Sequence, residues 1–431
     1  MELRKVAILG ANGTMGAGSA EVFAAGGCEV FLLARSRDRA LEGVRVAQNL
    51  AKSERIADRM QVGSYDEDFE KAVGSADLVF EALAEDLQLK SLFFERVDAC
   101  RRPDSVVATV SSGLSIARMA SGRSESFQRH FLGIHLFNPP NVIVGTEVIP
   151  HGGTDPELVR ELVPLLERRF GRKVVVCRDK PAFCGNRVGF KVLNEVAQLA
   201  GRHGVAFLDY LIGPHTGRAM PPLATVDLVG WDVHKAIVDN VYELVRDEAH
   251  EAFRLPDYMA RLVDEGRLGN KTPDRGGFYK RVQKDGRRVE LCLDPSTGEY
   301  HEPRVEKIPF VERMKELHHV GKYRDAWREF ASATGPEAEL AHRVVLGYVS
   351  YALHRVGPDE VVDHARDVDR IMAFGFNWAP PTVLVDLLGL RETWNLLDRY
   401  GLPVPPLLRE ARPGERLYQE RSGNIGRFFA G

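Results

Sequence analysis

Cysteine is scarce and unpaired in this sequence. Its 431 residues hold five, Cys28, Cys100, Cys177, Cys184 and Cys292, none in a CxxC spacing. That excludes a disulfide scaffold and a cysteine-built zinc framework, and points to free thiols in a reducing cytoplasm. There is no HExxH and no Cys/His cluster, so no metal site is expected. There is no stretch of about 18 apolar residues, so no helix is expected to span a membrane. The opening segment, MELRKVAILGANG, lacks the apolar core and cleavage site of a secretory signal, and a cytoplasmic protein is the expectation. Neither charge sign dominates. With 58 Lys and Arg against 61 Asp and Glu the net charge is -3, which gives no global field for nucleic acid. Neither nucleic acid nor membrane is an expected partner. The length exceeds one ordinary core and predicts two or three domains.

What is present begins with an apolar run, Lys5 to Leu9, that ends in a glycine loop and a small-residue helix from Ala17 to Ala25. A second strand, Val30 to Leu33, completes a βαβ unit. In that frame glycines let the backbone approach a pyrophosphate, whose charge sits on the helix N-terminus. The candidate contacts are Gly10, Asn12, Gly13, Thr14, Met15 and Gly16. The spacing is GxxGxxG, one residue longer than GxGxxG, with Asn12 as the insertion. Where an NAD site places Asp or Glu to accept from the ribose 2′-hydroxyl, this chain has Ala34, Arg35, Ser36 and Arg37. Arg35 would attract a 2′-phosphate that a carboxylate would repel, which predicts NADP(H) over NAD(H). The lesser alternative is that Arg35 and Arg37 simply solvate an exposed turn. Further strands are expected at Met60 to Val62, Asp77 to Phe80, Ser105 to Val110 and Phe131 to Phe137, with a helix at Leu87 to Ala99. This alternation predicts a mostly parallel sheet covered on both faces, with ligands at the C-terminal strand ends.

Hydride transfer at a C–OH/C=O centre needs a proton moved at the oxygen, and a histidine held by a carboxylate suits that task. GIHLFNPP places His135 at the end of an apolar strand before a rigid turn. Glu147 follows on the next apolar run, Val142 to Ile149. Ser111 and Ser112 end the strand before His135, and PAFCGNR places Asn186 near the start of a long helix. Each alone has a structural reading: a core histidine, a surface carboxylate, two helix caps.

Together these segments resemble the 3-hydroxyacyl-CoA dehydrogenase family, which shows a Ser-Ser/Thr turn, a xHFFNP motif, a Glu twelve residues after the His, and PGFxxNR. This chain has TVSSGLS, GIHLFNPP, Glu147 and PAFCGNR, and EALAEDLQLKSLFFERVD at 81–98 resembles the family segment before the serine strand. The resemblance implies His135 as general acid/base, Glu147 as its orienting carboxylate, and Ser112 as a ligand of the substrate oxygen, with Ser111 as the alternative. It implies Asn186 at the thioester, and Glu85 and Lys90 near the nicotinamide and its ribose. The substrate it implies is a 3-hydroxyacyl thioester on CoA or on a carrier protein. Other readings stay open: a dehydrogenase of another small hydroxyacid, or a catalytically silent nucleotide sensor. The chain departs from the family at Ala219-Met220-Pro221-Pro222, where PMGP is usual.

The C-terminal half repeats itself: PPLATVDLVG at 221–230 and PPTVLVDLLG at 380–389 share prolines and a Val-Asp-Leu-x-Gly core. Upstream, Asp209 pairs with Asp369; downstream, Gly276 to Tyr279 pairs with Gly426 to Phe429. The expected fold is therefore an α/β Rossmann-type N-terminal domain followed by two all-α domains, a duplicated helical module. The expected boundaries are 1–181, 182–282, a hairpin and connector at 283–335, and 336–431. Gly286 to Tyr300 reads as a hairpin and Val305 to Arg328 as a helical connector. The second copy could pack on the first and imitate a dimer within one chain, so both a homodimer and a monomer with an internal pseudo-dimer are expected possibilities.

Overall fold

The computed structural model describes residues 1–284, 286–412, 414–419 and 424–429. The chain divides into two compact units, Met1–Phe183 and Cys184–Gly431.

In the first unit eight strands form one sheet. They are β1 (Lys5–Leu9), β2 (Glu29–Ala34), β3 (Met60–Ser64), β4 (Leu78–Glu81), β5 (Val106–Thr109), β6 (Phe131–Leu136), β7 (Gly145–Pro150) and β8 (Lys173–Val176). Their order is β3-β2-β1-β4-β5-β6-β7-β8. The first six run parallel; β7 is antiparallel to β6 and parallel to β8. Strands β4, β5 and β6 are buried along their whole length, as a sheet covered on both faces requires. The helices are α1 (Thr14–Ala25), α2 (Arg37–Ala51), α3 (Phe69–Ser75), α4 (Leu87–Cys100), α5 (Ile116–Ala120), α6 (Glu125–Arg129) and α7 (Pro156–Phe170).

Strand alternation sorts this sheet chemically. One face is apolar: Val6, Ile8, Leu78, Phe80, Val106, Ala108, Leu132 and Ile134 join Phe23 of α1 and Leu162 of α7 in a common core. The other face places Glu81 opposite Thr109, Thr109 opposite Gly133, and His135 opposite Glu147. Polar side chains therefore gather where neighbouring strands end. The order reverses at β1, between β2 and β4, and the glycine loop leaves the sheet there, where open α/β sheets bind ligands.

One local expectation is corrected. The helix after the loop starts at Thr14, not Ala17, because extended Gly13 already serves as its N-cap. Within the apolar run Val142 to Ile149 the strand begins only at Gly145. Val142 and Ile143 instead donate their N–H groups to the Pro139 carbonyl, closing a turn after two prolines that cannot donate to a ladder.

The second unit is mostly helical and shows the duplication in its hydrogen bonds. In the first copy Asp209 accepts from the N–H groups of Leu223 (2.8 Å) and Ala224 (2.9 Å). In the second, Asp369 accepts from Thr382 N–H (3.1 Å) and the Thr382 hydroxyl. Asp227 accepts from Phe278 and Tyr279 N–H, each at 2.8 Å, while Asp386 accepts from Leu417 (2.9 Å) and Tyr418 (3.1 Å). The counterpart of Phe278-Tyr279 is therefore Leu417-Tyr418, which corrects the expected match to Phe428-Phe429. Phe429 instead stacks on His318, 4.6 Å between ring centroids. The second copy's last stretch includes residues 420–423 and 430–431, which lie outside the described residues.

The long helices Gly185–His203 and Pro336–His354, one from each copy, pack on each other. A buried charge cluster joins them: Asp247 accepts from Arg187 (2.8 Å), Arg355 (2.7 Å) and the Tyr351 hydroxyl (2.8 Å). The hairpin lies earlier than expected. Its first strand, β9 (Tyr279–Lys284), pairs with β10 (Arg287–Leu293), and a short β11 (Tyr300–His301) completes a three-stranded sheet. The connector is helical, formed by two helices, Pro309–His319 and Tyr323–Ser332. No helix among the described residues is long and apolar enough to cross a membrane.

Candidate active site

The glycine loop is built by close approach. Gly10 has φ +84°, and a Cβ there would stand 2.3 Å from the Ala82 carbonyl oxygen. At Gly16 it would stand 2.2 Å from the Gly10 carbonyl oxygen. The residue gained at Asn12 is absorbed by a turn, with Gly13 N–H donating to Gly10 C=O at 3.0 Å. Gly13 brings no side chain to the start of α1, and no acidic residue occupies its first turn. The helix thus presents bare N–H groups, which fits a pyrophosphate. Thr14 and Met15 are the first residues of that helix. Tyr65 steadies the loop from below: its buried hydroxyl oxygen accepts Gly10 N–H at 2.8 Å, and burial pushes its pKa up to about 12. Nothing in the sequence pattern singled out Tyr65. The substitution Gly16→Ala is expected to weaken reduced-cofactor binding by about tenfold or more, since overpacking of this kind costs ~1–3 kcal/mol. Fluorescence titration of the bound cofactor reads it, and an unchanged Kd would show that α1 can yield.

At the end of β2, Ala34 is buried and Ser36 is a helix cap, its Oγ accepting from Arg39 N–H at 3.3 Å. Arg37 is held by Glu67 (3.3 Å) and Asp68 (2.9 Å). Arg35 is exposed and makes no ion pair among the described residues.

His135 and Glu147 meet across the antiparallel pair β6/β7. His135 Nδ1 lies 2.6 Å from Glu147 Oε2, with both side chains nearly or fully buried. A carboxylate acceptor there places the proton on Nδ1 and leaves Nε2 as an acceptor, 3.1 Å from Ser112 Oγ. Phe137 stands edge-on to the imidazole, 4.8 Å between centroids, and Phe183 tilts over it at 5.7 Å. Ala182 and Phe183 carry φ +60° and +50°, so Ala182 holds a left-handed conformation that costs an L-residue roughly 1–2 kcal/mol. Behind the carboxylate, Cys177 Sγ donates to Glu147 Oε1 at 3.5 Å.

The two serines divide the work. Ser112 faces the imidazole. Ser111 turns its hydroxyl to Glu85 Oε1 at 2.5 Å, and the same oxygen accepts from Ser112 N–H (2.9 Å) and Gly113 N–H (3.1 Å). Partial burial pushes the Glu85 carboxyl up, but Lys90 and these donors hold it below its ordinary range. Lys90 is fully buried and reaches both Glu85 and Glu81. Ser112, His135, Glu147, Glu85 and Lys90 are thus one connected set. Asn186 belongs to the second unit, buried at the start of Gly185–His203. Glu81 and Thr109 were missed; their only sequence signal is a polar residue closing an otherwise apolar strand.

The family description "3-hydroxyacyl-CoA dehydrogenase, NAD binding domain" matches residues 5–180, and "3-hydroxyacyl-CoA dehydrogenase, C-terminal domain" matches residues 183–281. A probable 3-hydroxyacyl-CoA dehydrogenase of Deinococcus radiodurans is 33% identical over 67% of this chain and 86% of its own length. One from Bacillus subtilis is 30% identical over 84% of this chain, which spans only 45% of that relative's length. The solved 3-hydroxybutyryl-CoA dehydrogenase of Escherichia coli K12 shares the fold at a TM-score of 0.66 and 23% identity, covering 95% of this chain and 98% of its own. The (S)-3-hydroxybutyryl-CoA dehydrogenase of Ralstonia eutropha gives 0.56 and 26%, over 63% and 97%.

Proposed function

Because the chain belongs to the 3-hydroxyacyl-CoA dehydrogenase family, we propose that it interconverts (S)-3-hydroxyacyl and 3-oxoacyl thioesters with a nicotinamide cofactor. The observation that carries this reading is the aligned set Ser112 Oγ, His135 Nε2, His135 Nδ1 and Glu147 Oε2 at a strand end beside Glu85 and Lys90.

A bound nicotinamide supplies the hydride acceptor in oxidation and the donor in reduction. The chain's own residues handle the proton. In oxidation His135 Nε2 takes the proton of the C3 hydroxyl, while Glu147 keeps its bond to Nδ1–H and stabilises the imidazolium. Ser112 Oγ, already beside Nε2, orients the substrate oxygen toward it. In reduction the imidazolium returns the proton to the alkoxide oxygen. Asn186 is carried as a thioester ligand on its motif alone. Gly10, Gly13 and Gly16 would hold the pyrophosphate. Arg35, with no carboxylate partner, supports NADP(H) over NAD(H). The substrate is a thioester of CoA or of a carrier protein, and the duplicated second unit supports a monomer built as an internal pseudo-dimer.

Acetoacetyl-CoA reduction followed at 340 nm with NADPH and NADH in parallel tests the reading. NADPH is expected to give the higher kcat/KM, and Arg35→Glu to reduce that preference by roughly tenfold or more, the worth of a lost charge-assisted bond. An NADH advantage above about tenfold would overturn the cofactor assignment, a factor worth ~1.4 kcal/mol. No turnover with either cofactor would overturn the reaction.

A further inference from the structure

We propose that Glu81 is a positioning residue for this site, acting through Lys90, Glu85 and Thr109 on the turn that carries Ser112; the proposal rests on the dehydrogenase reading above. Lys90 Nζ lies 2.7 Å from Glu81 Oε1, both side chains being fully buried, and 3.5 Å from Glu85 Oε2. One ammonium therefore bridges two carboxylates, of which only Glu85 reaches solvent. Glu81 also accepts Leu83 N–H on Oε1 and the Thr109 hydroxyl on Oε2, each at 2.6 Å. Thr109 Oγ1 in turn accepts Ser111 N–H at 3.1 Å. The turn from Ser111 to Gly113 is thus tied to Glu81 along two routes. One runs through Thr109 to Ser111. The other runs through Lys90 to Glu85, which holds the N–H groups of Ser112 and Gly113.

A buried ion pair is a weak device for stability: desolvation offsets much of the attraction, and apolar side chains of similar volume often serve a fold as well. Its location accounts for it better. Glu81 and Thr109 close β4 and β5 at their C-terminal ends, where this sheet class binds its ligands, and Ser112, whose hydroxyl faces His135, follows Thr109 by three residues. With Glu81 uncharged, Lys90 keeps only Glu85 as a counter-ion. The ammonium then moves toward Glu85, draws its oxygen from the Ser112 and Gly113 N–H groups, and lets Ser112 Oγ leave the imidazole.

The test compares full-length wild type with Glu81→Gln, Glu81→Asp, Thr109→Val, Lys90→Met and Glu81→Gln/Lys90→Met. Two readouts are taken: steady-state acetoacetyl-CoA reduction, and the 13Cε1–1H signal of His135 in histidine-labelled protein. Glu81→Gln is expected to lower kcat about tenfold with KM within about twofold, inside the range that an ångström of misplacement costs. Glu81→Asp should recover most of that loss because the charge returns. The His135 signal should move in Glu81→Gln and in Thr109→Val. The double variant should be no slower than the worse of Glu81→Gln and a Lys90→Met control, since both substitutions break one circuit. Wild-type kcat with an unmoved His135 signal in Glu81→Gln overturns the proposal, as do additive losses in the double variant. Should Glu81→Gln fail to fold, Thr109→Val carries the same test, because it removes one route by exchanging a hydroxyl for a methyl group. If wild type turns over no acetoacetyl-CoA, the proposed reaction fails, while the His135 signal still decides the positioning role.

Discussion

His135→Gln is expected to lower kcat for acetoacetyl-CoA reduction at least about a hundredfold, the lower range for loss of a general acid/base. Glutamine fits the space and can still bond Ser112 and Glu147, but it carries no titratable nitrogen at the Nε2 position. The loss should therefore fall on kcat and on kcat/KM equally, because proton transfer belongs to the transition state and not to substrate binding. The Kd of the reduced cofactor should stay near the wild-type value, since the glycine loop and Tyr65 are untouched. Steady-state kinetics with a parallel fluorescence titration separates the two. A variant with near-normal kcat would remove His135 from the chemistry and return it to the role of a core histidine packed by Phe137 and Phe183.

Glu147→Gln is expected to lower kcat by ~10²–10⁴, from the lower range for lost acid/base catalysis up to the loss of about 10⁴ that follows when a buried carboxylate fixing a catalytic imidazole becomes an amide. The carboxylate is an acceptor only, so Nδ1 must carry the proton. An amide can turn its NH2 toward Nδ1, which moves the proton to Nε2 and leaves no lone pair for the substrate hydroxyl. It also removes the charge that stabilises the imidazolium. Glu147 is fully buried and Cys177 already donates to its other oxygen, so the amide oxygen has a competing site to satisfy. The same assay applies, with a thermal melt to confirm that the β6/β7 pair persists. Losses of less than about tenfold would mean that the ring packing of Phe137 and Phe183 sets the imidazole without help, since tenfold is only ~1.4 kcal/mol.

How much of this could be read in advance follows from the span of each interaction. The glycine loop was readable because Gly10, Gly13 and Gly16 lie within two turns of chain and the steric demand at Gly16 comes from Gly10 and Ala11, whereas the demand at Gly10 comes from Ala82 and Leu83, which only the fold brings there. The His135–Glu147 pair was readable as a motif interval, and the structure supplies the reason for the interval. Two antiparallel strands joined by one turn put those residues opposite each other. Arg37 shows the opposite case. It read like Arg35, yet it is spent on Glu67 and Asp68, which arrive from beyond β3. The repeat was readable in its Val-Asp-Leu cores. Its downstream match slipped because a pair of aromatic residues near the chain end looked more like Phe278-Tyr279 than Leu417-Tyr418 does, while the hydrogen bonds to Asp386 go by backbone N–H and ignore side-chain type.

By itself the sequence determined the alternation of strand and helix, the loop that can approach a phosphate, the histidine and its carboxylate, and the existence of two related helical modules. These depend on periodicity, turn chemistry and short intervals, all of which act along the chain. Only the tertiary structure decided that Glu81, Thr109 and Lys90 form one buried circuit under the serine turn, that Tyr65 supports the glycine loop, and that Arg187 and Arg355 share Asp247 between the two modules. Those contacts join residues brought together by strand order and helix packing, so no local pattern records them.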